Sequence, residues 1–366
     1  WGKGVRIAVL DSGIGEHSIL ENQSISSIDV IGTSNASADG AGHGTAIASI
    51  IGGSNGLGIA PAASLTSVRV LGEDGMGDSF TLAEGIIEAV DSGAQIISMS
   101  LGSFGYSSVL SDAVEYADSR GVLMVASTGN EGLAEITYPA RFEQVIGVAA
   151  VDANGQHSNF SNYGTGVDIA APGVGVAAAW TDDEWVSFSG TSAAVPFVVG
   201  GIAGVMSSES LSRPSDAYQL LVEYANDTGA TGVDQRTGAG NLNLERVLER
   251  NEPGIVDAAL ADVYIDLDSE ANGQVPVVMT VENRGTQFLN SVELLYSVNG
   301  SAERSIFLGA LAAGEEASYT FAVQESGLFS DEGLGFVASS QISLLEDTKP
   351  YNDGREVQFR FVLPEE

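Results

Sequence analysis

The chain has no cysteine among its 366 residues. That excludes a disulfide framework, a thiolate nucleophile and a zinc–thiolate centre. Positive charge is nearly as scarce. Only 14 Lys and Arg stand against 49 Asp and Glu, two of the 14 are lysines, and the net charge is −35. The imbalance is spread along the chain, with nine basic and 30 acidic residues in 1–252 and five and 19 in 253–366. Phosphate contacts need cations, so no nucleic-acid partner is expected. The same charge adds self-repulsion that salt would screen, and a saline habitat fits it. No uninterrupted apolar run reaches the about 18–20 residues that span a bilayer. The most apolar stretch, 193–205, is shorter, rich in glycine and reads as a buried core helix. No signal-peptide pattern is visible at Trp1, and only Trp1 to Gly4 precede the first apolar run. The chain therefore reads as a mature or processed form. What is present, 44% hydrophobic residues over this length, supports two domains that each bury a core.

Histidine is scarce as well, and this narrows any acid–base centre to His17, His43 and His157. His17 and His157 stand in polar loop contexts, Gly15-Glu16-His17-Ser18 and Gly155-Gln156-His157-Ser158. His43 instead stands in Gly42-His43-Gly44-Thr45, directly ahead of the apolar run 46–51, at a glycine-flanked helix start. Ser192 has a similar setting in Gly190-Thr191-Ser192-Ala193-Ala194-Val195-Pro196. Free amides and the helix dipole favour developing negative charge there. A serine hydroxyl attacks only when a neighbouring base takes its proton; the plain alternative is an N-cap serine. Asp11 closes the apolar run 5–10 and precedes Ser12-Gly13. A carboxylate at the C-terminal end of a buried parallel strand points into the crevice where α/β folds place ligands.

In the order Asp, His, Ser, the segments Val9-Leu10-Asp11-Ser12-Gly13-Ile14, His43-Gly44-Thr45 and 190–196 resemble the subtilisin-like serine proteases. Further matching segments are Ser98-Met99-Ser100-Leu101-Gly102, Ser127-Thr128-Gly129-Asn130-Glu131-Gly132, Tyr138-Pro139-Ala140 and 238–243. The resemblance covers about residues 2–250 and implies a serine endopeptidase that works through an acyl-enzyme. It makes Ser192 the nucleophile, His43 the general base and Asp11 the orienting acid. Asn130 and the Ser192 amide become the oxyanion donors. Ser100, Leu101 and Gly102 become a substrate-binding strand, and Thr137 lies near a specificity pocket suited to a moderately sized apolar side chain. The resemblance implies protein or peptide substrates, broad specificity, no cofactor for the chemistry and an extracellular location. Structural calcium occurs in the family, but the loop 52–58 after the His43 helix is short, so no metal site is carried over. Ala46 and Ala193 stand where the family often has histidine and methionine, which predicts smaller side chains around the site. A narrow processing protease and a catalytically silent adhesion or scaffold protein are the alternatives.

Up to about residue 252, strand runs at 5–10, 65–70, 95–100, 122–127 and 145–151 alternate with helical patterns at 79–92 and 108–119. Apolar residues such as Phe80, Leu82, Ile86, Ile87 and Val90 keep a helical period. The expected architecture is a doubly wound parallel sheet over 1–252. Helical pattern stops at Arg250-Asn251-Glu252-Pro253-Gly254. Beyond it, runs at 261–267, 275–282, 292–298 and 356–362 read as strands, with turns at Asn283-Arg284-Gly285, Asn299-Gly300 and Ala313-Gly314. About seven strands over 253–366 predict an all-β immunoglobulin-like sandwich. It weakly resembles the adhesion-related (CARDB-type) domains of exported bacterial enzymes, which implies cell-surface or matrix contact. The acidic runs Asp182-Asp183-Glu184 and Glu315-Glu316 read as solvated surface.

Overall fold

A computed structural model of the chain describes residues 1–32, 39–228, 232–265, 274–299, 301–324, 337–344 and 346–358. They form two compact units, Trp1–Ala225 with Val233–Leu242, and Asn226–Gly232 with Asn243–Glu366.

The first unit is built on seven strands: β1 (Arg6–Asp11), β2 (Ser24–Asp29), β3 (Ser64–Arg69), β4 (Ile96–Met99), β5 (Leu123–Ser127), β6 (Val145–Val151) and β7 (Ile169–Pro172). They lie in the order β2-β3-β1-β4-β5-β6-β7, and every pairing is parallel. The runs of β1, β4, β5 and β6 are apolar almost throughout because both faces of the sheet are covered there. Ala8, Leu10, Val68, Ile97 and Met124 pack against α2 (Ser79–Asp91) and α3 (Ser108–Ser119). The alternate residues Ile7, Val9, Ile96 and Val125 are equally buried and face the other way. On that side α1 (His43–Gly52) and α4 (Thr191–Ser208) lie together against the strands. By length and composition α4 could cross a bilayer, but 78% of its apolar window is buried inside the protein. It is the core helix that its glycine-rich sequence predicted. The strands 5–10, 65–70, 95–100, 122–127 and 145–151 and both patterned helices stand where expected, within a residue or two at their ends. Also present are the hairpin β8 (Val176–Ala179) and β9 (Trp185–Phe188), and α5 (Pro214–Glu223).

The second unit contains α6 (Leu244–Glu249) and the strands β10 (Ala258–Ile265), β11 (Gln274–Asn283), β12 (Leu289–Val298), β13 (Arg304–Leu311), β14 (Glu316–Gln324), β15 (Val337–Ser343) and β16 (Gly354–Gln358). Two antiparallel sheets result, β10-β11-β14 and β13-β12-β15-β16. Val263, Val277, Met279 and Val281 of the first sheet share one core with Leu294, Tyr296 and Ile342 of the second. The Ala313-Gly314 turn does not close a hairpin; it carries the chain from β13 in one sheet to β14 in the other. Of the expected strands 261–267 and 356–362, residues 266–267 and 359–362 lie outside the described residues, as does Gly300. The acidic run at 315–316 is only half as expected. Glu315 is exposed, but Glu316 is half-buried. Burial and the neighbouring Asp227 and Glu282 push its carboxyl up to about 7.

Candidate active site

The chain runs from β1 to β2 and β3 on one side, while β4 leads on to β5, β6 and β7 on the other. The crevice at the C-terminal ends of β1 and β4 is therefore a topological switch point, where open α/β sheets bind ligands. Asp11 is the last residue of β1. Ser100, Leu101 and Gly102 follow β4, and Asn130 follows β5. His43 opens α1 and Ser192 is the second residue of α4. The topology thus gathers all these sequence-predicted residues at one sheet edge.

Asp11 is buried, 1% exposed, and accepts a hydrogen bond from the Ser12 N–H at 2.8 Å. His43 Nδ1 stands 2.8 Å from Asp11 Oδ1 and 2.9 Å from Oδ2. A carboxylate only accepts, so Nδ1 carries the proton and the neutral ring keeps its lone pair on Nε2. Burial lowers the His43 pKa, but the charge and hydrogen bond of Asp11, aided by the charge of Asp39, outweigh it and raise the value above 6.5. The Phe188 ring meets the imidazole edge to face at 5.4 Å. Gly42, just before α1, has φ 76°, and a Cβ there would stand 2.4 Å from the Trp180 ring. Only glycine permits this backbone so close to the indole.

Ser192 Oγ donates to the Ser100 carbonyl at 3.1 Å, and Ser100 Oγ donates to the Ser192 carbonyl at 3.0 Å. In this rotamer the Ser192 proton is directed at the strand exit and not at His43. Asn130 is oriented by its side-chain oxygen, which accepts from the Thr191 N–H at 2.8 Å and the Thr191 hydroxyl at 2.9 Å. Its amide nitrogen is left as a donor. That nitrogen and the Ser192 backbone nitrogen lie 3.5 and 3.7 Å from the point where a Cβ on Gly190 would stand. The two donors therefore flank one small space, which Gly190, with φ 147°, leaves empty.

A cleft of about 930 Å³ adjoins His43 and is lined in part by Leu82, Ser100, Leu101, Gly102 and Tyr138. Thr137 is buried beside it. The Thr137 hydroxyl donates to the Ser127 carbonyl at 3.3 Å. A Cβ on Gly102 would stand 2.3 Å from that hydroxyl, and one on Gly129 would stand 3.0 Å from the Thr137 methyl. The Thr137 side chain thus fills the gap between segments 100–102 and 127–130.

The other two histidines are not brought to this centre. His17 is buried with Nδ1 accepting from the Ile19 N–H at 3.1 Å and Nε2 3.0 Å from the Glu184 carbonyl, and it packs against Asp183 and Trp185 of the 181–185 segment. Burial pushes His157 down to about 4. Ala46 is fully buried against Ile50 and Ala178, and Ala193 is fully buried too, so small side chains do surround the site. Sequence reasoning missed Asp39 and Phe188. Asp39 is buried beside Asp11 and the start of α1, and three residues ahead of the N-cap Gly42 it carries no standard capping signal in the sequence. Among the described residues no three His, Asp or Glu side chains are arranged to hold a metal ion. The loop 52–58 contains no carboxylate; its only side-chain oxygens are those of Ser54 and Asn55.

A family model described as the Subtilase family matches residues 2–240. Subtilisin BL of Lederbergia lenta is 39% identical over 248 residues, which is 67% of this chain and 90% of that protein. The thermostable alkaline protease of Halalkalibacterium halodurans is 44% identical over 237 residues, 64% of this chain and 65% of that protein. Among solved structures, a mutant of the protease domain of PatA superposes with a TM-score of 0.61 at 30% identity, covering 67% of this chain and 94% of that one. The prenylagaramide maturation protease PagA gives 0.60 at 28% identity, covering 67% and 93%.

Proposed function

The chain belongs to the subtilase family and is a serine endopeptidase, and on that premise we propose that Ser192 is its nucleophile, His43 its general base and Asp11 the carboxylate that orients His43. The observation that carries this reading is the Asp11–His43 pair, 2.8 Å apart, at the sheet edge that also bears Ser192. The Ser192 hydroxyl turns about its Cα–Cβ bond from the Ser100 carbonyl to His43 Nε2, a change between staggered wells. Such hydrogen bonds often tighten only when substrate binds. Ser192 Oγ then attacks the scissile carbonyl while His43 takes its proton. Asp11 holds the tautomer and stabilises the imidazolium. Asn130 Nδ2 and the Ser192 N–H donate to the oxyanion beside Gly190. His43 returns the proton to the leaving amine, and water repeats the sequence on the acyl-enzyme.

Ser100, Leu101 and Gly102 pair with the substrate backbone as an added strand. Thr137 closes the pocket between the two strand exits and restricts the residue before the scissile bond to an apolar side chain of small to moderate size. We assign the peptidase domain to 1–252, its last ten residues, with α6, clustering with the second unit, and an accessory immunoglobulin-like sandwich of the adhesion-related type to 253–366, which would contact a cell surface or matrix. A secreted or cell-surface enzyme of broad specificity is the reading that the family membership supports. A second reading, a narrow processing protease, is favoured by the likeness to PagA, which is named as a maturation protease.

Ser192→Ala tests the assignment. The purified wild type should react with a fluorophosphonate probe and hydrolyse casein, and the variant should do neither. Labelling that persists in the variant would show that another residue attacks. A peptide-library cleavage profile of the wild type separates broad from narrow specificity.

A further inference from the structure

We propose that Asp39, a carboxylate outside the Asp–His–Ser set, is a positioning residue for the peptidase reaction: through Ser12 and the first turn of α1 it holds Asp11 and His43 against each other. The inference rests on the assignment of His43 as general base.

Asp39 is only 6% exposed. Burying a carboxylate is costly unless its oxygens are hydrogen-bonded. Here Oδ1 accepts from the Ser12 hydroxyl at 2.7 Å and the Gly42 N–H at 2.8 Å. Oδ2 accepts from the Thr45 N–H at 2.8 Å and the Thr45 hydroxyl at 2.5 Å. All four partners donate, so the site calls for an ionised group that only accepts. A helix cap needs one or two of these bonds; the link to Ser12 is additional.

Ser12 connects the two carboxylates. Its N–H donates to Asp11 Oδ1 at 2.8 Å, and its Oγ accepts from the Gly44 N–H at 3.1 Å. Its single hydroxyl proton has two acceptors, Asp39 at 2.7 Å and Asp11 at 3.1 Å. The shorter distance assigns the proton to Asp39. The bonds thus form a closed ring: the start of α1 to Asp39, Asp39 to Ser12, Ser12 to Asp11, Asp11 to His43, and His43 back to the start of α1. His43 and its partner are thereby fixed from both sides. The charged groups that act on His43 are Asp11 and Asp39, and both favour its protonated form.

Asp39→Asn removes one charge and turns an acceptor into a donor aimed at other donors. On active-site-titrated enzyme, kcat should fall about 10- to 100-fold, the loss expected when reacting groups are misplaced, with KM nearly unchanged. The acid limb of the pH profile should move to lower pH, because His43 loses a nearby negative charge. A purely structural role would reduce the titratable fraction and the melting temperature but leave kcat per active site and the acid limb where they were; that outcome overturns the proposal. The His43 pKa is also read by NMR in full-length Ser192→Ala chain, with and without Asp39→Asn. This readout needs no activity, so it separates failure of the Asp39 inference from failure of the nucleophile assignment. If Asp39→Asn does not fold, Ser12→Ala decides. It cuts the link while keeping both charges, and kcat should fall without movement of the acid limb; an unchanged kcat overturns the proposal.

Discussion

At the scale of the residue, the site combines side chains that are chemically ordinary and made unusual by what holds them. Asn130 is the clearest case. With its carbonyl held by the Thr191 N–H and hydroxyl, its amide nitrogen cannot swing away. The donor is pre-aimed, and preorganised donors act where charge develops in the transition state. Asn130→Ala should therefore lower kcat about 100- to 1000-fold, the loss known for the oxyanion asparagine of subtilisin. KM should change little, because the bond to the oxyanion is made only in the transition state. A kcat within about threefold of wild type would remove Asn130 from the proposed oxyanion site. Ser192, His43 and Asp11 were legible in the sequence because each stands at a junction marked by glycine and an apolar run. Asp39 was not, because its importance lies in a bond to Ser12, 27 residues away.

Elements were legible to the degree that burial patterned them. α3 has apolar residues on its packed face and was found by its period, whereas β6, buried along its whole length, was found as a continuous apolar run. β2 was not, since its sequence Ser-Ile-Ser-Ser-Ile-Asp belongs to an edge strand and is mostly polar. β7 is too short for a period to show. In the second unit an element is held by charge. Glu282 of β11, 4% exposed at its side chain, pairs with Arg246 of α6 at 2.6 Å and with Arg284 at 2.9 Å. Breaking a buried pair from one side leaves uncompensated charge, which costs about 3–5 kcal/mol. Glu282→Ala should destabilise the second unit by about that amount in denaturant melts of the full chain. A loss under about 1 kcal/mol, the range of exposed pairs, would mean that water already shares this site.

For the whole molecule the governing quantity is the net charge of −35. Like charges repel more in the compact state, and the repulsion is screened as the Debye length falls from about 30 Å at 0.01 M salt to 3 Å at 1 M. The melting temperature and the peptidase activity should both rise over that range; a flat response would mean that the acidic surface does not limit stability, and the saline reading would go with it. By itself the sequence determined the chemistry available: no thiol, few cations, three histidines, and one aspartate, one histidine and one serine placed where a strand ends or a helix begins. It also determined that a parallel sheet is followed by antiparallel strands, because strands alternating with helical patterns call for crossovers while strands separated by short turns do not. Tertiary structure alone decided the rest. Which sheet each strand joins, how Asp39 reaches Asp11 through Ser12, and how Thr137 fills the space between two strand exits depend on contacts between residues far apart in the chain. No local pattern encodes those distances, since each is set by packing two distant segments against a common core.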